Sequence, residues 1–419
     1  MIIINIYRKC ANQFSTPLYI YNIETINSNY KYLKDSLPED SDIYYSLKAN
    51  SNDVIVKSII QMGAGAEVSS LNELNIAINN GTDPNNILYT GPGKTDYEIH
   101  NIIKKDVGCV SIETLEELKC ILYYSHSLNK EVSILIRLNP EYKPITNTGI
   151  RMTAISSQFG FDISVVSHLM RLIKESKCLI FKGFHIFNGS NINDENELIE
   201  NFKENIRISY YLSEEFEIPL KTLNIGGGFP APYGQKGEVR KFYNLKAHIN
   251  DLMVDLFGDT QPRLIFESGR YIVGTSGILL GEVQAIKNNK NDNYLILDYG
   301  INAIGGMSAI GRLPTTNYDF ISLSSNEDED REKSIYKVVG PLCTPMDYIS
   351  RRVELNSLKR GEILGIPNVG AYSLSASLIN FLSRDLPTEV IVKGEKIISA
   401  SKLKITRHSV STKGGDANG

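Results

Sequence analysis

Short runs of β-branched and aromatic residues recur along the first two thirds of the chain, each followed by a stretch whose apolar positions return every three or four residues. Eight runs stand out: IYYSL from 43, GAEVSS from 65, ILYT from 87, CVSIE from 109, VSILIRLN from 132, FKGFHIF from 181, TLNIGGG from 222 and RLIFESG from 263. Between most of them lie segments of helical period, among them NDVIVKSIIQMG, LNELNIAINNG, TLEELKCILYYSHSLNK and ISVVSHLMRLIKESK. Several open after Ser, Thr, Asp or Asn and close at Gly or Lys, the residues that cap helix ends. Strand and helix alternating about eight times over roughly 230 residues predicts a (β/α)8 barrel, with an open doubly wound sheet as the competing arrangement.

The texture changes after Gly269. EVQAIKNN, NYLILDYG, IYKVVG, GEILGIP and EVIVKGEKI are strand-like runs separated by turns, so a second, mostly β domain is expected over 271–405. The strand-like TPLYIY closes an N-terminal strand segment, 1–21, expected to join that β domain, which leaves 22–270 for the barrel. SSNEDEDREK at 324–333 reads as a solvated loop, and 406–419 as a flexible tail or a linker to a further domain.

Composition narrows the function. With 44 Lys+Arg against 48 Asp+Glu the formal charge is −4, and no basic stripe is present to track a nucleic-acid backbone. No run approaches the roughly 20 apolar residues of a membrane span, and MIIINIYRKCANQF lacks the basic region and cleavage site of a secretory signal. Cys10, Cys109, Cys120, Cys178 and Cys343 are scattered without a CxxC pair. That argues against a disulfide framework and a zinc site, and a reducing cytoplasm is expected.

In a (β/α)8 barrel chemistry sits where strands hand over to helices. Lys48 closes the first run, Glu67 lies in the second, Arg137 in the fifth, His185 through Ser190 after the sixth, Gly226–Gly228 after the seventh, and Glu267 through Arg270 after the eighth. A lysine inside an apolar strand end either snorkels to solvent or has a chemical task. The triple glycine is a tight turn or an anion nest, and FESGRY an ordinary ion pair or part of a site. Lysine, glycine cradle, arginine and carboxylate together match the needs of pyridoxal 5'-phosphate.

The blocks YYSLKAN, GAGAEVSSLNEL, RLNP, QFGFD, HIFNGSN, NIGGGFP, FESGRY, GPLCTPMD and NVGAYSLSAS occur in this order between Thr16 and Ile397. They resemble the fold-type III pyridoxal-phosphate decarboxylases, the family of diaminopimelate, ornithine and arginine decarboxylases with alanine racemase as a distant relative. The resemblance implies an alanine racemase-like barrel plus β domain, pyridoxal phosphate as cofactor, and a homodimer with shared active sites. It makes Lys48 the Schiff-base lysine, with Glu67 and Arg137 beside the cofactor. Ser190, Gly226, Gly227, Gly228, Gly269, Arg270 and Tyr372 surround the phosphate, and Glu267 faces the ring nitrogen. Cys343 becomes the acid that protonates the α-carbon in the partner's site.

Two departures bear on the substrate. Phe187 stands where the family stacks a histidine on the ring, and it keeps the flat face while losing a titratable group. Thr344 follows Cys343 where enzymes acting on ornithine or diaminopimelate have an acid that pairs with the distal ammonium. A buried ammonium without that acid is costly, so the resemblance narrows to a natural-product subgroup, including a butirosin-pathway enzyme acting on a carrier-linked glutamyl unit and microcin C-type decarboxylases. The expected reaction is α-decarboxylation of a side-chain-derivatised or tethered amino acid. Arg312 and Tyr372 are candidate substrate contacts, and Asp347 could replace the missing acid if its loop moved. Decarboxylation of a free diamino acid, amino-acid racemisation and an inactive regulatory homologue are the alternatives.

Overall fold

In the computed structural model, which describes residues 2–140, 150–151, 158–305, 317–323 and 331–409, the eight runs close into one parallel barrel. Its order is Thr222–Asn224, Arg263–Ser268, Ser41–Ser46, Gly65–Val68, Ile87–Tyr89, Cys109–Ile112, Val132–Leu138 and Leu179–Ile186, with the last returning to the first. The expected barrel is therefore correct, and the open sheet is excluded. The intervening helices start as their sequences suggest: the side chains of Asn52, Ser70, Thr95 and Thr114 each accept a backbone N–H of the following first turn. Such caps are worth about 1 kcal/mol each. Helix Val166–Glu175 buries Val166, Leu169, Met170 and Ile173, the spacing that turns one stripe toward the sheet.

Beyond the barrel the chain builds a mixed sheet in the order Tyr348–Asn356, Lys333–Val339, Asp292–Leu297, Gly277–Asn289, Leu18–Asn22, Thr388–Lys393 and Lys396–Lys402. Ile363–Pro367 adds to it by pairing with Gly277–Asn289. The strand Leu18–Asn22 lies inside this sheet, antiparallel to Gly277–Asn289 and parallel to Thr388–Lys393. Its side chains alternate as a strand's must: Tyr19 and Tyr21 enter the main core, while Leu18 and Ile20 enter a second core with Ile278, Leu280, Val390 and Val392.

One expectation needs correction. The segment 1–21 is not a strand throughout, because Ile2–Phe14 is an α-helix and the strand begins at Leu18. The β-branched opening MIII masks a helical stripe in which Ile6, Cys10 and Phe14, four residues apart, face the second core, and packing overrides local propensity there. Among the described residues no helix is long and apolar enough to cross a membrane.

Candidate active site

At the C-terminal end of strand Ser41–Ser46 the chain tightens into the 3-10 turn Leu47–Ala49. Three bonds pin the turn: Tyr45 OH donates to Asn50 O at 2.6 Å, Tyr372 N–H to Ala49 O at 2.9 Å, and Asn50 Nδ2 to Gly370 O at 3.0 Å. Lys48 leaves this fixed turn and places Nζ 2.9 and 3.0 Å from the two oxygens of Glu67. Glu67 also accepts from Thr90 Oγ1 at 2.7 Å. The lysine side chain is 44% accessible and Glu67 only 2%, so Lys48 reaches from the barrel wall into an open cavity while its partner stays buried. Burial pulls its ammonium down, and Glu67, Glu267 and Tyr372 together outweigh that and raise it above the ordinary lysine value.

Across the barrel mouth Glu267 ends strand Arg263–Ser268, accepting from Asn224 Nδ2 at 2.8 Å and lying 3.2 Å from His185 Nε2. His185 Nδ1 lies 2.8 Å from Ser111 Oγ, so in the neutral ring Ser111 donates to Nδ1 and Nε2–H faces the carboxylate. Burial favours the protonated acid, but His185, Lys48 and Asn224 more than offset it and hold the Glu267 carboxyl well below its usual range. The site thus fixes one buried negative charge opposite an ammonium.

Lys48, Glu67, Arg137, Phe187, Ser190, Glu267, Arg270 and Tyr372 all line one cavity of about 380 Å³. Arg270 stacks its guanidinium 4.7 Å over the Tyr372 ring, and its Nε is buried with no hydrogen-bond partner among the described residues. Tyr372 holds a left-handed backbone, φ 56°, an uncommon conformation for an aromatic residue. The glycines stand behind the cavity wall. A Cβ on Gly227 would come within 2.2 Å of Glu267 O, and one on Gly269 within 2.7 Å of the Ala49 Cβ. Among the described residues the Gly227 and Gly228 N–H groups donate to no backbone acceptor.

The remaining wall was not foreseen. Six strand ends drew attention in the sequence, and the two passed over supply Thr90, which lines the cavity, and Glu113, which lies outside the lining and holds the lining residues Arg137 and Gly91. Glu113, wholly buried, accepts from Arg137 Nη1 at 2.9 Å, Gly91 N at 3.1 Å and Gly160 N at 3.1 Å. Beneath it Lys94, 1% accessible, lies 2.5 Å from Glu117. Arg137 also lies 4.8 Å over the Phe159 ring.

Cys343 and Thr344 are not in this cavity of the single chain. They lie in the loop between Lys333–Val339 and Tyr348–Asn356, with Cys343 exposed. Arg312 falls outside the described residues. Asp347, the acid that could have replaced one at position 344, is engaged elsewhere in this conformation. It is 3% exposed, and its two oxygens accept from the Ile301 and Leu342 N–H groups, each at 2.8 Å.

A parallel barrel carrying a lysine against a buried carboxylate, with a second carboxylate kept ionised and an unpartnered arginine, defines a pyridoxal enzyme of the fold-type III architecture. The chain belongs to the pyridoxal-dependent decarboxylases, because residues 23–274 match that family's pyridoxal-binding domain. It is 30% identical to the L-glutamyl-(BtrI acyl-carrier protein) decarboxylase of Niallia circulans, over 91% of this chain and 90% of that one. It is 29% identical, over 88% of this chain and 92% of the other, to a Staphylococcus aureus decarboxylase of an L-alanin-3-ylcarbamoylmethyl derivative of 2-hydroxybutanedioate. The crystal structure of diaminopimelate decarboxylase from Methanocaldococcus jannaschii superposes with a TM-score of 0.83 at 27% identity, covering 93% of this chain and 90% of that one. The protein is accordingly a pyridoxal-phosphate-dependent carboxy-lyase. Its residues fit the cofactor: the orphaned Arg270 Nε and the unused glycine N–H groups suit a phosphate, and ionised Glu267 suits a protonated ring nitrogen.

Proposed function

We propose that this decarboxylase acts on an amino-acid unit whose side chain is derivatised or tethered to a larger body, and that its working form is a homodimer. Bound pyridoxal phosphate supplies the electron sink for the pair left when carbon dioxide departs. Lys48 would hold its aldehyde carbon, with Glu67 receiving the proton that the ammonium must lose before its nitrogen becomes nucleophilic. Glu267, oriented by Asn224 and His185, would keep the ring nitrogen protonated, while Phe187 covers a ring face. Ser190, Arg270, Tyr372 and the backbone of Gly226–Gly228 and Gly269 would hold the phosphate.

The observation that carries the reading is the pairing of two carboxylates with one lysine: Glu67 bonded to the amine and Glu267, held ionised beside His185, across from it. A racemase weakens the sink with an arginine at the ring nitrogen, and the Glu267 arrangement supports decarboxylation instead. An inactive homologue would have no use for it. Cys343, exposed and away from its own cavity, fits a proton donor that enters the site of a second copy. Thr344 beside it offers no charge to an ammonium, which suits a substrate whose distal end is already attached elsewhere. The relatives that decarboxylate a carrier-linked glutamyl unit and a carbamoyl-linked alanine unit support this choice.

Carbon dioxide release from a glutamyl-phosphopantetheine thioester, compared with free lysine, ornithine, arginine and diaminopimelate, tests the substrate class. Turnover of the thioester with slow or absent turnover of the free amino acids is expected. Rapid turnover of a free diamino acid would favour the second reading, a diaminopimelate-type enzyme, which the structural match to that enzyme supports.

A further inference from the structure

We infer that Asp347 is a positioning residue that sets the loop bearing Cys343, and so determines which face of the substrate's α-carbon is protonated. This rests on the proposed role of Cys343 in a partner's site.

The loop from Gly340 to Asp347 is folded around one carboxylate. Asp347 Oδ2 accepts from Leu342 N, the residue before Cys343, and Oδ1 accepts from Ile301 N on the turn after strand Asp292–Leu297, both at 2.8 Å. The Asp347 backbone closes the same loop, taking Gly340 N–H at 3.1 Å and donating to Thr344 O at 3.3 Å. Thr344 N–H donates to Leu342 O at 2.8 Å, so both neighbours of Cys343 are fixed while its own side chain is exposed. Space enforces the arrangement. A Cβ on Gly300 would lie 2.0 Å from Asp347 Oδ1, and one on Gly340 would lie 2.3 Å from the Gly300 Cα and 2.4 Å from Asp347 Oδ2. The carboxylate fills the gap that the two glycines leave, its hydrogen bonds go to backbone N–H groups, and Arg384 supplies a nearby positive charge. A carboxylate with two oxygens serving two backbone donors on separate segments is a clamp; an asparagine can serve only one of them as acceptor. A proton donor on a clamped loop delivers to one face, whereas water reaching an unclamped site delivers to either.

The test uses Asp347→Asn and Asp347→Ala in the full chain, with Cys343→Ala alongside. In the cofactor-free protein, amide hydrogen exchange at Ile301 and Leu342 should accelerate at least tenfold at both positions in Asp347→Ala and at one in Asp347→Asn. In the reconstituted enzyme run in heavy water, the wild type should place a single deuteron on one prochiral face of the product carbon. The S–D bond of the Cys343 thiol breaks as a C–D bond forms at the α-carbon, and the thiolate left behind takes a deuteron from the solvent. Both Asp347 variants should lose facial selectivity in the direction of Cys343→Ala while keeping the visible absorption band of pyridoxal phosphate bound as a Schiff base to Lys48. Wild-type selectivity in both Asp347 variants, or unchanged exchange at both amides, would overturn the inference. If Cys343→Ala itself keeps selectivity, the role given to Cys343 fails and the inference falls with it; selectivity lost in Cys343→Ala but kept in the Asp347 variants isolates the failure to Asp347. Asp347→Asn, which retains one acceptor, keeps the test available if Asp347→Ala does not fold.

Discussion

Lys48 illustrates how a side chain can be held ready in an unreactive state. Its pKa is raised, after the lowering by burial, through Glu67, Glu267 and Tyr372. Its contribution to the stability of the cofactor-free protein is therefore fully present below the unfolded lysine value of about 10.4 and lost only as pH rises through the higher folded value. Glu67→Gln removes the nearest charge. At pH 8 the variant's Lys48 should be acetylated several-fold faster by acetic anhydride in the cofactor-free protein, as mapped by mass spectrometry, and an equal rate would count against the pairing. Glu267 has the opposite sign. Its depressed pKa stabilises the fold above the ordinary glutamate range, and this is lost as pH falls through the folded value. Glu267→Gln should still bind pyridoxal phosphate as a coloured Schiff base yet lower kcat/KM by about 10² or more, the size of effect seen when one preorganised electrostatic group is removed.

At the scale of elements, the barrel was legible because its strands are apolar runs bounded by capped helices, and the same logic placed Lys48, Glu67, Arg137 and Glu267 at strand ends. Where packing decides, that logic failed. The helix Ile2–Phe14 hides behind a β-branched start, and Asp347 in CTPMD looked available as a substrate acid because nothing in its neighbourhood discloses the two amides it serves from Ile301 and Leu342. Glu113 had the visible signal of a strand-end carboxylate, but its task of joining Gly91, Arg137 and Gly160 is a long-range one. Glu113→Ala should cost about 3–5 kcal/mol, the range for leaving one partner of a buried pair uncompensated, read from the midpoint of urea unfolding. Gly227→Ala, whose Cβ meets Glu267 O at 2.2 Å, should destabilise by about 1–3 kcal/mol through overpacking and loosen cofactor binding, measured by thermal unfolding and by equilibrium dialysis.

For the whole molecule, the fold and its cofactor could be read from the chain, whereas the substrate could not, since Thr344 states only what the pocket lacks. The proposed dimer can be tested with two damaged copies. Coexpressed Lys48→Ala and Cys343→Ala chains should recover about a quarter of wild-type activity, because random pairing makes half the molecules mixed and each mixed dimer has one intact site. Activity at the level of either variant alone would argue against shared sites.

The strand Leu18–Asn22 has a further consequence, for the order in which the chain acquires its shape. Its neighbours are Gly277–Asn289 and Thr388–Lys393, so this strand leaves the ribosome well before either of its partners has been made. The barrel strands all lie in sequence between Leu18–Asn22 and the first of these partners, and they can pair while Leu18–Asn22 still presents unsatisfied edges, a slow, long-range closure of the kind that delays folding and invites association. A chain halted before Thr388 would keep one of those edges open, and synthesis through Lys393 is what supplies its last hydrogen-bonding neighbour.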